Sequence, residues 1–305
     1  MPRPIVCLAP LQGYTNAAYR RVHFDAVGGI DYYYTPFVRW EKGGLRNKDL
    51  RDIDPKVNAG IPVVPQVIAR DCDELRHLCD ELQALGWRRI DINMGCPFPM
   101  QTGAGRGCGL LSHPDIVASI LEETRRRPEV AFSVKMRLGQ KDNTEAQQLL
   151  PILNETPLEN ITLHPRIGRQ QYRGKPDIEA FSDFYKGCKK PLIYNGDITT
   201  REDIERILQA FPALHGVMIG RGLLANPTML LPELTDDERL SRLLQMHDYF
   251  FVKAQSSLQG DQQLLTHLHA FWQYPQKMIP KKTHKELMKT SSLRNYLSAV
   301  ESLRK

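Results

Sequence analysis

Several residues of reactive type stand in short apolar runs, where packing alone would not select them. Cys96 closes the stretch Asp91-Ile92-Asn93-Met94-Gly95-Cys96-Pro97, in which Pro97 ends the run and turns the cysteine out of it. A free thiol near its reference pKa stays protonated at neutral pH and can deliver a proton as a general acid. A buried structural cysteine is the alternative that this residue by itself leaves open. Lys135 interrupts the run Phe132-Ser133-Val134-Lys135-Met136-Arg137-Leu138. Burial removes charge from a lysine unless something electron-rich faces it, either a structural carboxylate or the edge of a bound cofactor. Tyr194-Asn195-Gly196-Asp197-Ile198 and Met218-Ile219-Gly220-Arg221-Gly222 end two more runs. Glycines there let backbone N–H groups approach a phosphate, a following short helix would point its positive end at it, and Arg221 adds charge-assisted bonds.

Such residues need a frame that gathers them. Apolar runs over 5–10, 31–38, 62–69, 89–97, 131–138, 160–166, 191–198 and 216–222 predict eight strands, several apolar throughout, as in a parallel sheet buried on both faces. Helical spacing lies between them. Leu75, Leu78, Cys79 and Leu82 fall at i, i+3, i+4 and i+7, as do Ile204, Ile207, Leu208 and Phe211, with Thr200 and Asp203 as a start signal. This alternation predicts an α/β protein, a (β/α)8 TIM barrel, with the charged, Gly-containing segment 40–60 as a loop excursion over its mouth. Beyond Thr235 the strand signals stop. Leu240, Leu243 and Leu244, then Leu264, Leu265 and Leu268, then Leu293, Leu297 and Val300 predict helices punctuated by Pro275 and Pro280. The chain thus divides into a barrel over 1–232 and a C-terminal helical domain over 233–305.

In such a barrel the active site lies at the C-terminal ends of the strands. That filter selects Gln12, Arg39, Gln66, Asn93 with Cys96, Lys135 with Arg137, His164, Asn195 with Asp197, and Arg221.

Composition narrows the class. Of 305 residues 41% are hydrophobic and 25% charged, ordinary globular usage, and no apolar run is long enough to cross a bilayer. The first ten residues hold too short an apolar stretch for a signal peptide, so a cytoplasmic protein is expected. Six cysteines are scattered without a CxxC pair, which argues against a disulfide framework or a zinc site, and no metal is expected. Charge is uneven. Residues 271–305 carry eight Lys/Arg against two Glu, so this segment alone contributes the whole net charge of +6. A neutral body with a basic tail predicts an enzyme core and a surface for a polyanion; a solvated helical face is the alternative on charge alone.

Taken together the motifs resemble the tRNA-dihydrouridine synthase family. They are Ala9-Pro10-Leu11-Gln12-Gly13-Tyr14-Thr15, Thr35-Pro36-Phe37-Val38-Arg39, Gln66-Val67, Asn93-Met94-Gly95-Cys96-Pro97, Gly103-Ala104-Gly105 with Leu110-Leu111, Ser133 to Leu138, His164-Pro165-Arg166, Asn195-Gly196-Asp197 and Gly220-Arg221. The Asn-x-Gly-Cys-Pro element is the most specific of these, and the bacterial C-type enzymes are the nearest in kind. The resemblance implies FMN as cofactor, held by Pro10, Leu11, Gln12, Gln66, Lys135, His164, Asn195, Gly196, Asp197, Gly220 and Arg221, with NADPH as reductant. It implies tRNA as partner and reduction of the C5–C6 bond of a uridine. Cys96 would protonate C5, and Arg39, Asn93, Met94, Gly95 and Arg137 would hold the uracil and its backbone. Two positions depart from the family pattern: Pro36 stands where glutamate is usual, and Pro99 where lysine is usual. Two other readings stay open, a flavin barrel acting on a small pyrimidine, similar to the dihydroorotate dehydrogenases, and a non-catalytic RNA-binding relative.

Overall fold

The computed structural model describes residues 3–231 and 233–305. All eight expected strands occur, as β1 (Ile5–Leu8), β2 (Tyr32–Tyr34), β3 (two pieces, Val63–Val64 and Gln66–Val67), β4 (Arg89–Met94), β5 (Ala131–Gly139), β6 (Leu158–Ile167), β7 (Leu192–Tyr194) and β8 (Gly216–Ile219). Every neighbouring pair is parallel. The first piece of β3 pairs with β2 and the second with β4, so the two ends of the sheet meet across Pro65 and the barrel closes there. Proline is tolerated at that point because the strand changes partner and skips a ladder donor.

Most strands end earlier than their apolar runs do. β1 stops at Leu8, β4 at Met94 and β7 at Tyr194. Pro10 and Pro97 cannot donate to a ladder, so the chain leaves the sheet and the residues beyond form the mouth of the barrel. The 40–60 excursion differs from the expected loop. It contains an antiparallel pair, Trp40–Glu41 with Gly44–Leu45, and a helix over Asn47–Ile53. It lies on the barrel's outside rather than across its mouth. Asp52 accepts from Ala17 N (2.6 Å) and Arg20 Nη1 (3.1 Å), Ile53 O accepts from Trp87 Nε1 (3.1 Å), and the segment adds no side chain to the cavity described below.

Six helices cover the barrel: Ala17–Ala26, Cys72–Ala84, Pro114–Arg125, Glu145–Glu155, Ile178–Gly187 and Arg201–Ala210. Thr200 and Asp203 form the expected reciprocal cap on the last of these. Among the described residues the short helix Arg221–Ala225 comes next, and then four more: Asp236–Ser257, Asp261–Trp272, Lys281–Leu287 and Leu293–Glu301. Their centre is polar but satisfied. Trp272 Nε1 donates to the Tyr296 hydroxyl, which in turn donates to His247 Nε2 (both 2.7 Å). Burial lowers the pKa of His247, so its ring stays neutral and can accept. The expected boundary at 232 falls on Pro232, which lies outside the described residues. Val22 and Ala26 of the barrel belong to one apolar cluster with Leu243 and Met246 of the helices after it.

Candidate active site

The C-terminal ends of the strands surround a cavity of about 1240 Å³, larger than the ~300–1,000 Å³ of an ordinary ligand pocket. Most residues selected from the sequence line it. Pro10, Leu11 and Gln12 come from the turn after β1, which Thr15 pins by accepting from Leu11 N (2.8 Å). Asn93, Gly95 and Cys96 follow β4, and Lys135 and Arg137 belong to β5. His164 lies on β6, Asn195, Gly196 and Asp197 follow β7, and Gly220 and Arg221 follow β8. Three selected residues do not reach the wall. Met94 is fully buried in the core. Arg39 is engaged with Glu41 (2.8 Å). Gln66 is fully buried and lies behind the wall, where other side chains occupy its amide.

Those partners form a relay whose polarity is set at one end. The Asp91 carboxylate accepts from Ser133 Oγ (2.6 Å) and from Gln66 Nε2 (2.7 Å). Gln66 therefore turns its carbonyl to Asn93 Nδ2 (2.7 Å), and Asn93 in turn offers its own carbonyl to the N–H groups of Gly95 (3.0 Å) and Cys96 (2.8 Å). An ionised carboxylate only accepts, so each amide along the chain has one allowed orientation, and the turn carrying Cys96 is fixed. Burial pushes Asp91 up to about 6, against the pull of its hydrogen bonds and of Lys135. A second support comes from below. Cys108 N donates to Cys96 O (3.1 Å), and Gly107, at φ +60°, leaves no room for a Cβ, which would lie 2.5 Å from that oxygen.

Cys96 is 7% exposed. Burial raises its thiol pKa, partly opposed by the Phe98 backbone N–H and by the charges of Arg137 and Lys135. The thiol thus keeps its proton, while groups that would stabilise a thiolate stand beside it. Lys135 has no hydrogen bond or ion pair at contact distance among the described residues, and the buried Asp91 carboxylate acts on it only through space, favouring its charged form. Burial and the neighbouring Arg137 bring its ammonium down to about 8. His164 is held well below its ordinary value, first by burial and then by Arg137, Lys135, Arg166 and Arg221. Its Nε2 accepts from Arg166 Nη1 (3.1 Å), which leaves Nδ1 as the protonated nitrogen and a donor.

At the β7–β8 end, Asp197 is the centre of a charge cluster rather than a free side chain. Its carboxylate accepts from Arg166 Nη1 and from Arg221 Nη2 (both 2.9 Å). Two guanidinium groups against one carboxylate leave a net positive charge beside Gly196 and Gly220. Asn195 donates to Met218 O (2.7 Å), and its Oδ1 has no partner among the described residues. The helix after Gly220, Arg221–Ala225, is only five residues long, so the guanidinium charge outweighs any helix-end field here. Arg137 is largely engaged with backbone: Nε donates to Gly95 O (3.0 Å), and Nη1 to Ile167 O (3.0 Å) and Gln171 O (2.8 Å). It ties the Cys96 turn to the loop after β6, and only Nη2 remains without a described partner.

The rim holds residues that sequence spacing did not single out. Tyr172 lines the cavity with its ring beneath Arg221 (4.7 Å) and Arg137 (5.6 Å). Tyr14 and Tyr274 pack edge to face at 5.0 Å, and Tyr14 donates to Gln273 (2.7 Å), so the helical region forms one wall. Phe98 and Lys277 also line the opening. The loop carrying Tyr172 is pinned from within, since Gln171 O and Gly174 O accept from the buried Arg137 and Arg166 (2.8 and 2.6 Å). Its own Arg169, Arg173 and Lys175 are exposed without an ion-pair partner among the described residues. The mixture of aromatic and basic residues in Arg169-Gln170-Gln171-Tyr172-Arg173 was the available signal. The basic tail behaves similarly. Lys277, Lys281, Lys282, Lys285, Lys289 and Arg294 are exposed without ion pairs among the described residues, whereas Arg304 pairs with Asp248 (2.5 Å).

Comparison with known proteins agrees with this geometry. The family model described as dihydrouridine synthase matches residues 7–305. A probable tRNA-dihydrouridine synthase 2 of Bacillus subtilis (strain 168) is 27% identical, covering 81% of this chain and 78% of that one. The tRNA-dihydrouridine synthase B of Pasteurella multocida (strain Pm70) is 29% identical over 73% of this chain and 66% of that one. Neither carries the C-type designation. Among solved structures, the old yellow enzyme from Trypanosoma cruzi superposes with a TM-score of 0.52 at 9% identity, covering 80% of this chain and 94% of that one. Morphinone reductase gives 0.52 at 11% identity, over 75% and 85%. These two likenesses establish the barrel fold. No helix among the described residues is long and apolar enough to cross a membrane.

Proposed function

The chain belongs to the dihydrouridine synthase family, and from that premise and the cavity's chemistry we propose that it reduces the C5–C6 double bond of a uridine in tRNA, with FMN as cofactor and NADPH as reductant. One observation carries the reading: a protonated thiol, a lysine without a hydrogen-bond partner among the described residues and a neutral imidazole donor line a single cavity of about 1240 Å³.

The residues present fit the cofactor. Lys135 lacks a partner and would meet the electron-rich N1/O2 edge of a flavin, with His164 Nδ1–H as a second donor. The net positive cluster of Arg166, Asp197 and Arg221, beside Gly196, Gly220 and the Asn195 amide, suits a single phosphate. Pro10, Leu11 and Gln12 would form the wall from β1. Gln66 would act through Asn93 rather than by contact, and Asp197 through the arginines it orients. When bound, reduced FMN supplies the hydride that goes to uracil C6. The chain's own part is to hold the base and give the proton. Cys96 delivers its proton to C5, and the thiolate left behind is stabilised by Phe98 N–H, Arg137 and Lys135 until solvent returns a proton. Gly95, Arg137 Nη2 and the Tyr172 ring would hold the uracil. Arg39 and Met94 are not assigned this contact, the first being paired and the second buried.

A uracil can reach this cavity only after leaving its stack, so the enzyme must grip the surrounding RNA. Residues 233–305 would act as the RNA-binding part through their unpaired cations, and the rim loop with Arg169, Arg173 and Lys175 would supply a second phosphate contact from the barrel. The decisive test is to purify the protein, reconstitute it with FMN, and supply NADPH and tRNA from cells lacking the gene, with dihydrouridine measured by mass spectrometry. Formation of dihydrouridine is expected. Failure to hold FMN would overturn the reading, and NADPH oxidation that yields dihydrouridine from no tRNA would favour a small pyrimidine substrate.

A further inference from the structure

Phe98 and Met100 are 48% and 75% exposed, although they lie two and four residues beyond the buried Cys96. Single exposed apolar side chains are ordinary on a protein surface. These two differ in position and in rigidity. Phe98 lines the same cavity as Cys96. It stands between Pro97 and Pro99, each with a restricted φ, and the latter also restricts Phe98 itself. Its carbonyl accepts from Gln101 N (2.8 Å) and Thr102 N (3.0 Å), starting the short helix Pro99–Thr102. Gly103 continues that helix so tightly that a Cβ there would lie 2.9 Å from Pro99 O. The lip is therefore held in place by backbone geometry, with an aromatic ring and a thioether turned to solvent at the edge of the opening.

We propose that this lip is a stacking subsite for the nucleobase next to the reacting uridine, and the inference rests on the function proposed for the cavity. Extruding one base leaves its neighbour with an uncovered face at the point where the strand enters the cavity. A ring carried on a braced backbone two residues beyond Cys96 is placed to cover that face, and the exposed Met100 adds a polarizable sulfur on the same short segment. The lip carries no charge of its own, so it contributes stacking and not phosphate affinity. The departure at Pro99 acquires a consequence here, since it replaces a cationic side chain with a stiff support for an apolar one.

The test uses the FMN-loaded full chain with four variants, Phe98→Ala, Phe98→Leu, Phe98→Trp and Met100→Ala, and tRNA carrying either its normal neighbour or an abasic neighbour beside the target uridine. Phe98→Ala is expected to raise KM for tRNA about 5- to 150-fold, the equivalent of the ~1–3 kcal/mol contributed by stacking one base. The loss should fall on KM more than on kcat, because the substitution keeps the Phe98 backbone N–H beside Cys96, and flavin reduction by NADPH measured without tRNA checks that each variant still holds its cofactor. Phe98→Trp should restore KM, Phe98→Leu should not, and Met100→Ala should give a smaller rise. With the abasic tRNA the wild type should lose the same factor, and Phe98→Ala should lose nothing further. An unchanged KM in Phe98→Ala, or full rescue by leucine, overturns the subsite while dihydrouridine formation by the wild type still stands. Absence of any tRNA reduction by the wild type overturns the underlying reading and the subsite with it.

Discussion

Lys135 offers a prediction whose size and sign follow from its surroundings. Burial and Arg137, partly opposed by Asp91, bring its ammonium from 10.5 to about 8, a penalty of roughly 3 kcal/mol on the charged form at ~1.4 kcal/mol per unit. A cofactor whose electron-rich edge meets this ammonium favours the charged form and raises the lysine back toward its ordinary value. FMN affinity should then be constant below about pH 8 and fall as pH rises, about tenfold per unit, until the pKa of the bound state is reached. If binding restores the full ordinary value, the total loss approaches about 300-fold near pH 10.5. Lys135→Met keeps the length and removes the charge, so its FMN affinity should be weaker at pH 7 by up to the same factor and independent of this ionisation. The assay is quenching of flavin fluorescence on binding, at pH 7, 8, 9 and 10, for both proteins. Ionisations of FMN itself are common to both and cancel in the ratio. A wild-type profile parallel to that of the Lys135→Met variant would refute the placement of the lysine against the cofactor.

Three further outcomes are expected. Cys96→Ala should keep FMN and its reduction by NADPH but lose dihydrouridine formation by about 10²–10⁴-fold; equal rates would return Cys96 to a structural role. Replacing Arg169, Arg173 and Lys175 together by alanine should lower tRNA affinity and flatten its dependence on log salt by about 0.7–0.9 for each phosphate no longer neutralised, and the same treatment of Lys281, Lys282 and Lys285 should do likewise; an unchanged slope marks that set as solvated surface. Gly107→Ala should destabilise the chain by about 1–3 kcal/mol in thermal or urea unfolding, because the backbone is left-handed and Cys96 O blocks a Cβ. Gly13→Ala, equally left-handed but in open space, serves as the control and should cost less.

The barrel was legible because its signals are local. A strand buried on both faces needs an unbroken apolar run, a helix on its outside needs a 3.6-residue stripe, and both are written at short range in residues such as Phe132 to Leu138 and Ile204 to Phe211. The rule that reactive groups follow strand ends then brought Cys96, Lys135, His164 and Arg221 into one set, and all four line the cavity. The excursion at 40–60 was less legible, since its hairpin and helix are short and its course along the barrel wall depends on Asp52 meeting Arg20 and on Ile53 meeting Trp87.

What the sequence by itself determined, then, was which residue types stand at the ends of which elements, together with the concentration of positive charge after residue 270. Tertiary structure alone decided their partners. Gln66, Arg39 and Arg137 were equivalent as polar residues near strand ends, yet one is enclosed by Asp91 and Asn93, one is paired with Glu41, and one is engaged by the backbone carbonyls of Gly95, Ile167 and Gln171. Lys135 was left without a hydrogen-bond or ion-pair contact among the described residues, and Tyr172 and Phe98 reached the rim from loops that no periodicity governs. The physical reason is that apolar patterning belongs to one segment at a time, whereas a hydrogen bond, a charge pair or a shifted pKa belongs to two groups. Until the barrel closes across Pro65, those groups lie far apart along the chain.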